Sequence, residues 1–178
     1  MKHWINQIDK TTADFSSNFG SLTKEQLNWK PNPTTWSIAQ NIDHLIVINQ
    51  SYFPLLADLK TGKFKRPFIA RFGFIVSFFG KTVLNAIKPD TQKKIKTFAI
   101  WEPSESKIEG DIVDRFSKHQ DQLKKEIEAA KDLIQQGVII YSPANKNIVY
   151  TLETAFDIIT THELRHLEQA KEVLESLI

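Results

Sequence analysis

The chain contains no cysteine. That excludes disulfide bridges, thiolate metal sites and a cysteine nucleophile, and leaves histidines and carboxylates as the only side chains able to hold a metal. Long uncharged apolar runs are missing too. The most apolar stretch, FIARFGFIVSFFGKTVLNAI, is broken by Arg71 and Lys81, and a bilayer span needs roughly 20 apolar residues in a row. The opening MKHWINQIDKTTADF has no apolar run behind its first basic residue, so no secretory signal is expected and the protein is expected to be cytoplasmic. What is present is ordinary for a soluble domain: 178 residues, 41% hydrophobic and 25% charged, enough to bury a sizeable core. A single domain over residues 1–178 is expected.

Acidic residues are scarce in one region. The net charge is only +2, which by itself argues for no polyanionic partner, but from Lys60 to Lys96 there are ten Lys or Arg and a single acid, Asp90. Elsewhere the chain is net acidic.

The apolar spacing is helical nearly throughout. A first amphipathic helix is predicted from about Lys2 to Phe19, with Trp4, Ile8, Phe15 and Phe19 on one side and Gly20 ending it. The stretch LTKEQLNWKPNPTTW, with two prolines, reads as a loop. Ser37 is placed to cap a second helix whose stripe includes Ile38, Ile42, Leu45, Tyr52, Leu56 and Leu59, and Pro54 is expected to kink it or end it early. A third helix is predicted from about Ser104 to Gln136, with Gly137 as its C-terminal glycine. VIIY could form a short strand but has no obvious partner, so it reads as a loop running through SPANKN to a fourth helix from about Val149 to Leu177. Four long amphipathic segments and no convincing strand predict an all-α four-helix bundle. The long connection between the second and third helices is expected to be partly helical, one or two short helices packed across the end or side of the bundle.

The seam of the fourth helix is Leu152, Ala155, Ile159, His162, His166, Ala170, Val173 and Leu177. Two imidazoles therefore face the core. Desolvating both costs a few kcal/mol unless each finds a partner, and a shared metal supplies one. With Glu163, the pair spells H-E-x-x-H, the pattern of a zinc peptidase helix in which the Glu is general base. Zinc peptidases of that kind take a third ligand from beyond the motif. Here Gln169 stands where the glycine of the extended motif belongs and Glu172 where its last histidine belongs, and with only twelve residues after His166 no later helix is expected. A third protein ligand must come from upstream, which is foreign to that layout, so peptidase activity is not expected. The upstream histidines are His3, near the start, His44, at the rim of the second helix's apolar face, and His119, on the stripe of the third helix. Periodicity does not choose between His44 and His119.

The segment LTKEQLNWKPNPTTWSIAQNIDHLIVIN resembles the opening of DinB/YfiT-like proteins, in which a loop with Pro and Trp-Ser leads into a helix carrying a His followed by Leu. The closing SPANKNIVYTLETAFDIITTHELRHLEQA is similar to that family's last helix, its H-x-x-x-H-L-x-Q matched by His162, His166, Leu167 and Gln169. KTFAIWEPSES also fits the family's lead-in to the third helix. The resemblance implies a four-helix bundle and a three-histidine site for a divalent metal (zinc, nickel or iron) made by His44, His162 and His166. It further implies either transfer of a small thiol, with a low-molecular-weight thiol as cofactor, or hydrolysis of a small-molecule substrate. Three neutral ligands plus water would leave the open position of a catalytic metal. Glu163 follows a ligand directly, so on a regular helix it points away from the metal. It reads as a solvated or outer carboxylate at least as well as a general base. Gln169 and Asn41, each about one turn from a ligand, read either as pocket residues or as ordinary packing.

Residues 60–96 admit three roles: short helices whose Phe side chains cap the bundle, a roof that recognises an anionic cofactor or substrate, or a surface for membrane or nucleic acid. Neither membrane nor nucleic acid is expected as a partner, because no regular basic face accompanies the Phe residues. A homodimer is compatible with a bundle of this size. The rival to an enzyme is a non-catalytic binding or stress-associated module acting through this basic aromatic segment.

Overall fold

Two reciprocal caps set where helices begin in the first third of the chain. The Ser37 hydroxyl accepts from Gln40 N–H at 3.1 Å while the Gln40 side chain accepts from Ser37 N–H at 3.2 Å, satisfying donors that a helix start otherwise leaves unpaired. Thr23 and Gln26 form the same box. In the computed structural model, which describes residues 1–90, 97–103 and 107–177, these caps open α3 (Ile38–Lys60) and α2 (Lys24–Asn28), preceded by α1 (Lys2–Phe19). The short α2 lies inside the stretch expected to be a loop. Pro54 does not end α3 early: the helix runs on to Lys60. Both Pro54 and Gln50, whose carbonyl loses its partner to the proline ring, are exposed, so water can take the missing bond.

The connection that follows contains a 3₁₀ turn at Phe68–Arg71, α4 (Gly73–Ala86) and a second 3₁₀ turn at Ala99–Trp101. The third long helix, α5 (Ile112–Ala129), starts later than the sequence suggested. The expected start at Ser104 lies outside the described residues. Ile108 is not helical; Asn28 of α2 bonds both its N–H and its carbonyl at 2.7 Å, holding the chain in place before α5. After a break at Ala130 comes α6 (Lys131–Gln135), closed by Gly137 at φ +64°, the left-handed backbone that glycine adopts without strain.

VIIY is a strand, not a loop. β1 (Ile139–Ser142) pairs antiparallel with β2 (Asn145–Thr151) in the register Ile140 to Tyr150 and Tyr141 to Val149. Residues 149–151, expected to be helical, belong to β2. The helix α7 (Leu152–Leu177) follows with no intervening loop, and Thr151 Oγ1 accepts from Thr154 N–H at 3.0 Å to cap it. The partner strand escaped recognition because it leads straight into a helix without a Gly or Pro break. The chain is thus mostly helical with one small hairpin.

α3 packs on α7 and α5, α1 packs on α5 and α7, and α4 lies against β2 and α7. Gly80 allows that last approach, since a Cβ there would stand 3.1 Å from Thr154 Cγ2. No helix among the described residues is long and apolar enough to cross a membrane.

The core divides into two large clusters and a small third one of Ala70, Val76 and Val149. One large cluster gathers Trp4, Ile8, Tyr52, Leu123, Phe156 and Ile159; the other gathers Phe15, Phe19, Ile42, Phe116, Leu167 and Val173. Along each long helix, buried polar residues fall between the two: Thr11 in α1, Asn49 in α3, Gln120 in α5, Thr160 and Glu163 in α7. The histidines implied as ligands stand on α3 and α7 beside this polar layer.

Candidate metal centre

His162 and His166 occupy successive turns of α7, and α3 brings His44 against them. The His44 and His162 Nε2 atoms are 3.1 Å apart. The rings of His44 and His166 lie 4.6 Å apart by their centroids, those of His162 and His166 4.5 Å. One ligand atom from each residue lies within 4.8 Å of the others, forming a group that could hold a metal ion. The structure therefore brings together the three residues that the family resemblance singled out. It leaves His119 and His3 outside the group. His119, in α5, stacks on Phe53 at 5.6 Å, and neither of its nitrogens has a partner among the described residues. His3 is exposed, 3.8 Å from Asp157.

Orientation of the rings matters as much as their proximity. The Nδ1–H of His44 donates to the Trp101 carbonyl, and the Nδ1–H of His166 donates to Asn41 Oδ1 at 2.7 Å. Asn41 is itself fixed, its amide donating to the Ser37 carbonyl at 2.9 Å. Such bonds select the tautomer and leave Nε2 as an inward lone pair. Trp36 lies over two of the rings, 4.7 Å from His44 and stacked on His166 at 5.9 Å. Trp101 is tied to α3 by a second bond, its indole N–H donating to Ser51 Oγ at 3.0 Å.

Burial keeps all three imidazoles neutral. It lowers His44 to about 4 against the opposing effects of the Trp101 bond and Asp43. His162 is lowered to about 3 by burial first, then by His44 and the Arg165 guanidinium. His166 is held well below its ordinary value by burial, then by the other two imidazoles and Arg165. Neutral imidazole is the ligating form. One pair of donors also fits in size: two nitrogens bound tetrahedrally to one zinc at about 2.0–2.1 Å would lie about 3.3–3.4 Å apart, close to the 3.1 Å between His44 and His162.

The cluster opens into a cavity of about 970 Å³ walled by Trp36, Tyr52, Trp101, Tyr150, Arg165 and Gln169 among others, the size of a small-molecule site. Asn41 and Gln169 both line it. Asn41 acts as the anchor of a histidine, which separates it from a mere packing residue. Glu163 does not line it. The Glu163 carboxylate is fully buried, accepting from Asn49 Nδ2 at 2.8 Å and from Gln120 Nε2 at 2.9 Å. Burial pushes its pKa up to about 7, against the lowering effect of those two bonds. The reading of Glu163 as a solvated carboxylate is thus corrected. Its partners sit on two other helices and gave no signal in the linear sequence. Nor did the Trp101 carbonyl, a backbone atom.

A mostly helical chain with three inward-facing histidines beside a cavity defines a class of helical proteins competent to bind a metal. The sequence profile of the DinB superfamily matches residues 7–170, and the chain belongs to that superfamily. No curated protein and no solved structure matches the chain at a significant level.

Proposed function

We propose that this protein is a metal-dependent enzyme in which His44, His162 and His166 hold one divalent ion (zinc, nickel or iron) and the adjoining cavity takes a small-molecule substrate, for small-thiol transfer or for hydrolysis. On this reading α1, α3, α5 and α7 are the four helices of the bundle. The observation that carries the proposal is the convergence of three neutral imidazoles, two with their outer nitrogens already committed to Trp101 and Asn41. Three protein ligands leave a position open, as in catalytic rather than structural sites. Bound there, a divalent ion supplies Lewis-acid polarisation and brings the pKa of a water or thiol towards neutrality.

The chain's own residues do the rest. Asn41 and the Trp101 carbonyl keep two rings aimed inward. Trp36 packs against the rings of His44 and His166. Arg165, whose guanidinium donates to the Lys88 carbonyl at 2.8 Å, presents a cation at the cavity wall that suits a carboxylate on a substrate or thiol. Tyr52 and Tyr150, their hydroxyls 2.7 Å apart, are both raised by burial, Tyr150 to about 12. They remain protonated near neutrality and serve as hydrogen-bonding groups, not bases. Glu163 lies outside the cavity and takes no part in proton transfer.

The test is turnover. Protein loaded in turn with zinc, nickel and iron(II) is offered small thiols with alkyl, epoxide or activated-ring electrophiles, and separately esters and amides. Metal-dependent turnover that disappears in His166→Ala and persists in His119→Ala is expected. Turnover that is the same in His166→Ala, or indifferent to metal, would refute the reading.

A further inference from the structure

Four phenylalanines near the start of α4 stand in the open: Phe68 is 66% exposed, Phe72 41%, Phe74 75% and Phe78 63%. They form one band. The rings of Phe68 and Phe72 lie 5.7 Å apart and those of Phe72 and Phe74 6.2 Å, and Phe74 and Phe78, one turn apart in α4, share a face. The band is mounted on a fixed base. Ala70 and Val76 are buried against Val149 of β2, and Gly80 abuts Thr154 and Tyr150. A contiguous exposed apolar cluster of this kind marks a surface that meets something.

The charge around it indicates what. Between Asp58 and Asp90 the chain has seven Lys or Arg and no acid. Lys63, Lys65, Arg71, Lys81 and Lys88 are all exposed and make no ion pair among the described residues, and Arg71 lies over the Phe68 ring at 5.1 Å. A second copy seated on this band would press like charges together. Single-stranded nucleic acid stacks bases on open aromatic faces along a groove, whereas here Phe68 and Phe72 meet edge to face at 74° at the start of a helix. An anionic bilayer answers both features, phosphates meeting the Lys and Arg while the Phe rings enter the boundary between headgroups and acyl chains.

We propose that the face formed by the Phe68–Arg71 turn and the first half of α4 docks on membranes containing anionic lipid. The linear sequence argued against such a partner because its Phe and cations follow no single helical period. The reason is that two elements, the 3₁₀ turn and α4, meet at Phe72 to build the face. The same α4 lines the histidine cavity through Thr82, Val83 and Ala86, so docking presents that cavity beside the lipid surface.

The experiment is co-sedimentation of the full chain with phosphatidylcholine vesicles, with and without phosphatidylglycerol, at low and high salt. Binding to the anionic vesicles is expected, about tenfold or more tighter than to neutral ones and weakened by salt. The double substitution Phe74→Ser with Phe78→Ser should reduce it about tenfold or more. Arg71→Glu with Lys81→Glu should abolish the preference for anionic lipid. All four positions are exposed, and unchanged circular dichroism and melting would show that either variant is folded. The proposal is overturned by absent or charge-indifferent vesicle binding in the wild type. It is equally overturned by wild-type binding that both folded variants retain, by a dimer in sedimentation velocity that the Phe variant dissociates, or by tighter binding to single-stranded DNA lost in the same variants.

Discussion

Two adjoining faces of α7 bury polar groups in opposite ways. On one, His162 and His166 meet His44, and the rings of His44 and His166 have the outer nitrogen pinned so that Nε2 carries the lone pair. On the other, Glu163 accepts from Asn49 and Gln120. Elsewhere in the core His119 of α5 is buried against Phe53 of α3, with no partner for either nitrogen among the described residues. Both regions contain residue types able to ligate a metal. Only the first has nitrogen donors that converge, two of them on rings held by an outer hydrogen bond. In the second the carboxylate is occupied by two amide donors, whose own oxygens have no partner among the described residues. Convergence and tautomer control, not the presence of histidine, separate a group that could hold a metal from a polar core.

The largest effect that would sharpen this contrast is loss of metal affinity. His166→Ala should weaken zinc binding by at least about a hundredfold, more than removal of an outer partner usually costs, whereas His119→Ala should leave it within about twofold; competition with a chromophoric chelator reads both. Next comes the closed face. Glu163→Ala leaves the Asn49 and Gln120 amides without their acceptor and should cost about 2–4 kcal/mol in urea unfolding. Glu163→Gln should cost less than about 1 kcal/mol, because one neighbouring amide can flip to offer its oxygen, and should leave turnover intact. Loss of turnover in Glu163→Gln would instead revive a general-base role.

Acid destabilises both regions, since burial also lowers His44, His162 and His166, and His119 offers the part that can be read without touching those three rings. Burial holds His119 at about 4 when folded, against 6.5 for a free imidazole. The unfolded chain therefore takes up a proton that the folded chain refuses, and stability falls as pH drops from 6.5 to about 4. The cost is on the order of 3 kcal/mol over that window. Chelator-treated His119→Leu should lose that much less between the two pH values and be no less stable than wild type at pH 7; an unchanged pH slope would show that His119 has a partner. A smaller effect than loss of a ligand is expected at Asn41. Asn41→Ala frees the outer nitrogen of His166 and should lower zinc affinity about tenfold, with the fold kept.

Much of this was legible in the sequence because apolar spacing and capping are local. Trp4, Ile8, Phe15 and Phe19 marked α1, Ser37 marked the start of α3, and Gly137 marked a helix end. What escaped was non-local or hidden by louder signals. The Thr23–Gln26 box was masked by the prolines and tryptophans that follow it. The second strand of the hairpin merges into α7 without a break. For the site, His162 and His166 announced themselves by their spacing, but the choice of His44 over His119 needed a family resemblance, since both ride apolar faces. The supports were invisible: a backbone carbonyl at Trp101, and polar residues such as Asn49 and Gln120 whose burial arises only when three helices meet.

The most direct test of the account is the metal content of tag-free wild type, His44→Ala and His119→Ala after offering zinc, nickel or iron(II) and dialysing against a weak chelator. The account predicts about one metal ion per chain in the wild type and in His119→Ala, and close to none in His44→Ala. A wild type that retains no metal, or metal kept in His44→Ala and lost in His119→Ala, would contradict it.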